Sequence, residues 1–380
     1  MNGVICVPQQ RQGFTLNYGR EERVSGYYSY FPRAWTIHVF FRRLLQNSDV
    51  LRCGMSLTNC KTQLRSILCL SFCLLTSSAV AQQKAKKKSA PKGPSIVWVN
   101  APRDSQLPLP SNTQHLTFHS KLVNEDVGYC VYLPPDYSAD SKVRFPVIYN
   151  LHGNGGNEFT GLDSIRVLDE GIKAGRWPQM IMVLPNGGHS TFYKDSADGK
   201  FPIESIFMKE FIPYIDQTYR TIAAHEGRCI EGFSMGGRGA TRLAMKYPET
   251  FCSLFCQAGN VPHLLDIFDE TPTAERSGLL LGESRDNWEK DDVYAVTLKN
   301  AKRIKKNVRI QIACGTRDGG HLKTIRDFHQ HLVELAIDHT YIELEGLGHK
   351  RTEMIALMRP IWFDYHAESI RRAAKQAAAK

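Results

Sequence analysis

The sequence predicts an α/β fold, a mostly parallel central sheet with helices on both faces. Three observations carry this. Short β-rich runs alternate with helical runs from about Gln114 onward. The runs Val147-Ile148-Tyr149, Ile181-Met182-Val183 and Ile310-Gln311-Ile312 are largely apolar, as strands covered on both faces must be. The 380 residues are 42% hydrophobic and 23% charged, the composition of an ordinary globular protein, and no internal repeat is present.

Taken in order, Gly128–Leu133 reads as a strand broken by Pro134-Pro135, and Pro146–Leu151 as a second. Met180–Leu184 is a third, ended by Pro185-Asn186-Gly187-Gly188. Ile203–Tyr219 has helical spacing of Ile206, Phe207, Phe211, Ile212 and Ile215. Arg228–Gly232 reads as a strand, Gly236–Tyr247 as a helix stopped by Pro248, and Phe251–Gln257 as a strand. Gly259 to about Asp291 has no clean period. Val293–Lys305 is helical, Val308–Cys314 a strand, Lys323–Ala336 a helix, Thr340–Leu344 a strand and Arg351–Ile370 a helix. The alanine- and lysine-rich tail 371–380 reads as a fraying helix end.

The sharpest motif is Gly232-Phe233-Ser234-Met235-Gly236-Gly237. As a bare G-x-S-x-G it is weak. Its position after a strand and before a helix is the setting in which a serine is exposed on a strained turn at the carboxyl edge of a sheet. The plainer reading is a glycine-rich turn with a capping serine. A serine hydroxyl is a poor nucleophile at neutral pH and needs a base, itself oriented by an acid. In this motif's chain order both follow the serine.

His349, in Leu347-Gly348-His349 just past the last expected strand, is the candidate base. His329 and His331 lie in an expected helix, where surface or packing roles are the simpler reading. Asp318, directly after Val308–Cys314, is the candidate acid, against an ordinary Asp-Gly turn. Asp292 and Asp327 are weaker candidates. Two backbone N–H groups are needed for a developing oxyanion. Met235 supplies one, and the loop His152-Gly153-Asn154-Gly155-Gly156 the other, from Asn154 first and Gly153 second. His152, Tyr193 and Asp195 are candidates for contact with substrate, with loop packing as the alternative.

The formal net charge of +10 is concentrated near the N-terminus. Residues 1–81 carry +6, residues 82–94 carry +5 through five lysines, and the rest carries −1. No broad nucleic-acid footprint follows. Arg65, the apolar run Ser66–Leu75 and the ending Ala79-Val80-Ala81 form a secretory signal with cleavage after Ala81, leaving a secreted or periplasmic protein without a membrane segment. An uncleaved anchor is the competing reading. Phe72, before Cys73, is too bulky for a lipobox.

Met55 would start a leader of normal length, so residues 1–54 read as a non-native upstream extension. The expected organisation is therefore 1–54 extension, 55–81 signal peptide, 82–111 basic Pro/Ser linker, 112–370 catalytic domain and 371–380 tail. Of the five cysteines after the cleavage point, Cys252 and Cys256 would sit ~13 Å apart along a strand, beyond disulfide reach. Buried thiols are the simplest reading of all five, with one disulfide among the others left open.

From Gly128 to His349 the chain resembles the putative-esterase family of α/β-hydrolases, which includes feruloyl and acetylxylan esterases, S-formylglutathione hydrolases, enterochelin-type esterases and mycolyltransferases. The resemblance rests on Tyr132-Leu133-Pro134-Pro135-Asp136-Tyr137, Phe145–Gly153, Phe211–Asp216 and Gly232–Gly237. It implies the α/β-hydrolase fold, a Ser234, Asp318, His349 triad and hydrolysis of carboxylic esters through an acyl-enzyme, with no metal or organic cofactor. With the leader, it points to small-molecule or polysaccharide esters such as acyl groups on carbohydrate, their specificity set by 259–291. Transfer of the acyl group to a sugar, or a non-catalytic binding module on the same scaffold, are the alternatives. Oligomeric state is left open.

Overall fold

In the computed structural model, which describes residues 4–6, 96–138, 142–270 and 280–379, the strands are β1 (Val4–Cys6), β2 (Thr113–Ser120), β3 (Glu125–Tyr132), β4 (Val147–Leu151), β5 (Ile181–Pro185), β6 (Arg228–Phe233), β7 (Ser253–Gln257), β8 (Arg309–Gly315) and β9 (His339–Leu344). They form one sheet in the order β1-β9-β8-β7-β6-β4-β5-β3-β2. The pairs from β5 through β4, β6, β7 and β8 to β9 are parallel, while β2-β3, β3-β5 and β1-β9 are antiparallel. Strands β4, β5 and β7 are buried along their whole length, so both faces are covered, as their apolar sequences require.

The expected α/β architecture is therefore present. Most strand boundaries fall within a few residues of those read from sequence. The polar edge strand β2 buries only Phe118 and Ser120 and gives almost no hydrophobic signal. The helix Leu162–Lys173 was not expected, although Leu162, Ile165, Leu168 and Ile172 recur on one buried face. The stretch 203–218 is helical, with a π turn over Ile206–Phe211. Among the described residues, Gly259–Asp291 includes the helical stretches Leu264–Glu270 and Arg285–Asp291, seven residues each and too few to show a period.

The single helix expected over 351–370 is two, Arg351–Met358 and Asp364–Ala378. Pro360 lies in the break, and without an N–H it cannot donate to the carbonyl of Ala356. The second helix runs on through the supposed tail and buries Ile370 and Ala373.

Composition assigns residues 82–111 to a linker, yet 96–111 pack on the domain. The Trp98 carbonyl accepts from Gly128 N–H at 2.8 Å, and Asn186 Nδ2 donates to the carbonyls of Val97 and Trp98. Asn100 gives its backbone N–H and Nδ2 to the fully buried Glu158 carboxylate, both at 2.8 Å. Burial alone would raise the Glu158 pKa, but His115 and Asn100 hold the carboxyl below its usual range. A polar composition concealed a wall of the domain.

Apart from Val4–Cys6, the expected extension lies outside the described residues, as do the signal peptide and the lysine run. Among the described residues no helix is long and apolar enough to cross a membrane. Cys130, Cys229, Cys252, Cys256 and Cys314 are all buried free thiols.

Strand β4 has β5 on one side and β6 on the other, so the chain reverses its direction of travel across the sheet there. In open α/β sheets the crevice at such a reversal, at the carboxyl ends of the strands, is where ligands bind. Ser234 follows β6, Gly153 follows β4, Asp318 follows β8 and His349 follows β9.

Candidate active site

Ser234 joins β6 directly to the helix Met235–Lys246, with φ 56° and ψ −119°. A non-glycine residue holds this backbone only when its surroundings fix it. Ser234 N–H donates to the Gln257 carbonyl at 2.9 Å, and the Ser234 carbonyl accepts from Arg238 N–H at 2.9 Å. The flanking glycines are needed for close approach. A Cβ on Gly236 would lie 2.0 Å from the Leu151 carbonyl oxygen, and one on Gly232 would lie 2.4 Å from the backbone of Gly236.

The three residues expected to work together meet. Ser234 Oγ lies 2.9 Å from His349 Nε2, and His349 Nδ1 lies 2.8 Å from Asp318 Oδ2. The Asp318 carboxyl is almost fully buried, whereas about a third of the His349 side chain is open to solvent. Phe233 packs on the imidazole at 4.7 Å between ring centres. An imidazole so held can take the serine proton at Nε2 while its Nδ1–H stays on the carboxylate. Asp292, the weaker acid candidate, instead caps the helix Val293–Asn307 and accepts from Ala295 N–H. Asp327 pairs with Lys323 on the surface.

His321 was passed over in the sequence. Its Nδ1 is 3.3 Å from Asp318 Oδ1, and its ring stacks on His349 with centroids 4.2 Å apart and planes 17° apart. Burial, and then the neighbouring His349, lower its pKa. Among the described residues Asp318, His321 and His349 are a group of metal-ligating types in close reach. The two rings are nearly parallel, however, so their in-plane lone pairs do not converge on a common point.

The loop after β4 brings Gly153 and Asn154 beside the serine. A Cβ on Gly153 would lie 3.3 Å from the Phe233 carbonyl oxygen and 3.5 Å from Ser234 Cβ, Asn154 is exposed on the cleft, and Met235 opens the helix. The three residues offered for substrate contact do not line this cleft.

His152 is buried and bolts the loop down. Its Nε2 accepts from Gly187 N–H at 3.0 Å, which places the proton on Nδ1, 2.9 Å from the Gly153 carbonyl. Burial lowers its pKa to about 4, so the ring is neutral. Tyr193 is buried against Gly187 and Gly239. Asp195 accepts from Ser205 N–H and Oγ–H at 2.9 and 2.7 Å, capping the turn at 203–205. A polar side chain near a catalytic loop looks the same in sequence whether it serves substrate or backbone.

The cleft itself has a volume of about 410 Å³. Besides Ser234, His349 and the 153–157 loop, Arg103, Gln106, Thr160 and Arg351 line it. The described residues of the segment 259–291, expected to hold the pocket, do not contribute to this lining. Arg351 is fixed by Asp163 and by Ser164 Oγ, the latter at 2.7 Å. Arg103 and Gln106 belong to the segment that composition reads as linker, and no local pattern marks them.

A profile of the family described as "Putative esterase" matches residues 120–353, more than half of the chain. Esterase Rv1288 of Mycobacterium tuberculosis is 33% identical over 146 residues, 37% of this chain and 31% of that protein. An acetyl esterase of Caldicellulosiruptor saccharolyticus is 25% identical over 254 residues, 62% of this chain and 90% of that protein. The match thus spans about a third of the mycobacterial relative's length. Among solved structures, a ferulic acid esterase superposes with TM-score 0.56 at 24% identity, covering 69% of this chain and 98% of that one. The S-formylglutathione hydrolase of Agrobacterium tumefaciens has the same TM-score at 21% identity, covering 68% and 95%. These likenesses show the α/β-hydrolase fold.

Proposed function

Because the chain belongs to the "Putative esterase" family of α/β-hydrolases, we propose that it is an exported carboxylesterase that cleaves esters through an acyl-enzyme on Ser234. The observation that carries this is the unbroken line of contacts from Ser234 Oγ through both His349 nitrogens to the buried Asp318. His349 takes the serine proton as Oγ attacks the ester carbonyl. Asp318 keeps the imidazole in the tautomer whose Nε2 is free to accept that proton, and stabilises the imidazolium.

The backbone N–H groups of Met235 and Asn154, with Gly153 as the second choice in that loop, are assigned to the developing oxyanion. His349 then returns the proton to the departing alcohol, and water activated at the same nitrogen releases the acid. The leader at 55–81 supports export. Together with the acetyl esterase among the relatives, export favours acyl groups on carbohydrate as substrates.

The test is hydrolysis of a short aryl ester by the purified protein. Ser234→Ala should lower kcat/KM by at least about 10³-fold with the circular dichroism spectrum retained. Retained activity in that variant would refute the mechanism.

A further inference from the structure

The cleft beside Ser234 is unevenly charged. Among the described residues its ionisable lining side chains are Arg103, His349 and Arg351, and no carboxylate is among them. The charge of Arg351 is offset by its ion pair with Asp163. Arg103 is exposed, and among the described residues no carboxylate forms an ion pair with it. Asp104, its neighbour in the chain, does not line the cleft.

The arm that carries Arg103 is well anchored. Arg103 N–H donates to Gln106 Oε1 at 2.8 Å, and Gln106 Nε2 donates to the Phe159 carbonyl at 3.2 Å. Three residues earlier, Asn100 holds the buried Glu158. A cationic side chain thus stands on an anchored backbone at the side of a concave site. The other polar lining groups, Gln106, Asn154, Asn157 and Thr160, can add neutral hydrogen bonds but no opposing charge.

We propose that Arg103 forms a carboxylate subsite, so that the preferred substrates are esters bearing a negative charge close to the scissile bond. This rests on the reading of the cleft as the ester-binding site. The shared chemistry is a carboxylate, carried either on the acyl group, as in a dicarboxylic half-ester, or on the alcohol, as in an acylated uronic acid. A planar guanidinium binds either form through paired N–H donors.

Two matched pairs of esters test it. The first is 4-nitrophenyl hemisuccinate against its neutral methyl succinate analogue. The second is an acetyl ester of glucuronic acid against the same ester of glucose. In Arg103→Gln the ratio of kcat/KM for charged over neutral ester should fall by about threefold or more at low ionic strength, and further in Arg103→Glu. The pair that responds identifies which side of the ester carries the charge. If neither ratio moves, the subsite is refuted.

A binding arm separates this outcome from failure of the catalytic reading. Calorimetric titration of Ser234→Ala and of Ser234→Ala/Arg103→Gln with the hemisuccinate ester needs no turnover. Weaker binding in the double variant supports the subsite, and equal binding overturns it.

Discussion

His321 lies flat against His349, and the two imidazoles direct their Nδ1 atoms at opposite oxygens of one buried carboxylate, that of Asp318. The acid is therefore shared. His321 stands beside the carboxylate oxygen that His349 does not use, and its ring backs the His349 imidazole.

Burial, and then the neighbouring His349, hold the pKa of His321 below the usual histidine value. Removing the side chain takes away the ring stacked on His349 and the neighbour at Asp318 Oδ1. In His321→Ala, kcat/KM for a short aryl ester should fall by roughly tenfold, and in His321→Phe, which keeps a stacked ring, by less. Wild-type kcat/KM in both variants would show that His321 does not help to place His349.

His152 gives a prediction about stability. Its folded pKa is about 4, against 6.5 for the unexposed-to-protein reference. A depressed histidine pKa means the fold favours the neutral ring. The stabilisation is complete above pH 6.5 and is lost as pH falls through about 4. It is on the order of 3 kcal/mol. Urea unfolding of wild type and His152→Asn at about pH 7 and about pH 4 should show the gap between them closing by about that amount. A gap independent of pH would contradict the assignment.

Gly236→Ala tests the turn. The added Cβ meets the carbonyl oxygen of Leu151 at 2.0 Å and that of His152 at 2.8 Å, both backbone atoms that no side-chain rotation can clear. A loss of at least about 3 kcal/mol in chemical denaturation is expected, with loss of activity. Wild-type stability would mean that β4 and the turn can separate at little cost.

The sequence showed the chemistry better than its walls. Ser234, Asp318 and His349 each follow a parallel strand, and the apolar residues of those strands with the helical runs between them make the alternation legible. The loop after β4 was legible for the same reason. Arg103 and Gln106 were not, because the arm 96–111 is held by side chains far away in sequence, Glu158 and Asn186 among them. Such contacts leave no period and no motif. His152 and Asp195 were misjudged in the other direction. They are polar residues near the site whose hydrogen bonds go to backbone groups and, for Asp195, to the Ser205 hydroxyl as well. The break at Pro360 was there to be read, and the apolar residues on both sides of it masked the stop.

The central claim is that Ser234 is a nucleophile activated by His349. Intact-protein mass spectrometry after treatment with a fluorophosphonate tests it most directly, because only an activated serine is phosphonylated. One adduct on the wild type, mapped to the peptide containing Ser234, absent in Ser234→Ala and strongly slowed in His349→Ala, is the predicted result. An unlabelled wild-type protein, or an adduct that survives Ser234→Ala, would contradict the account.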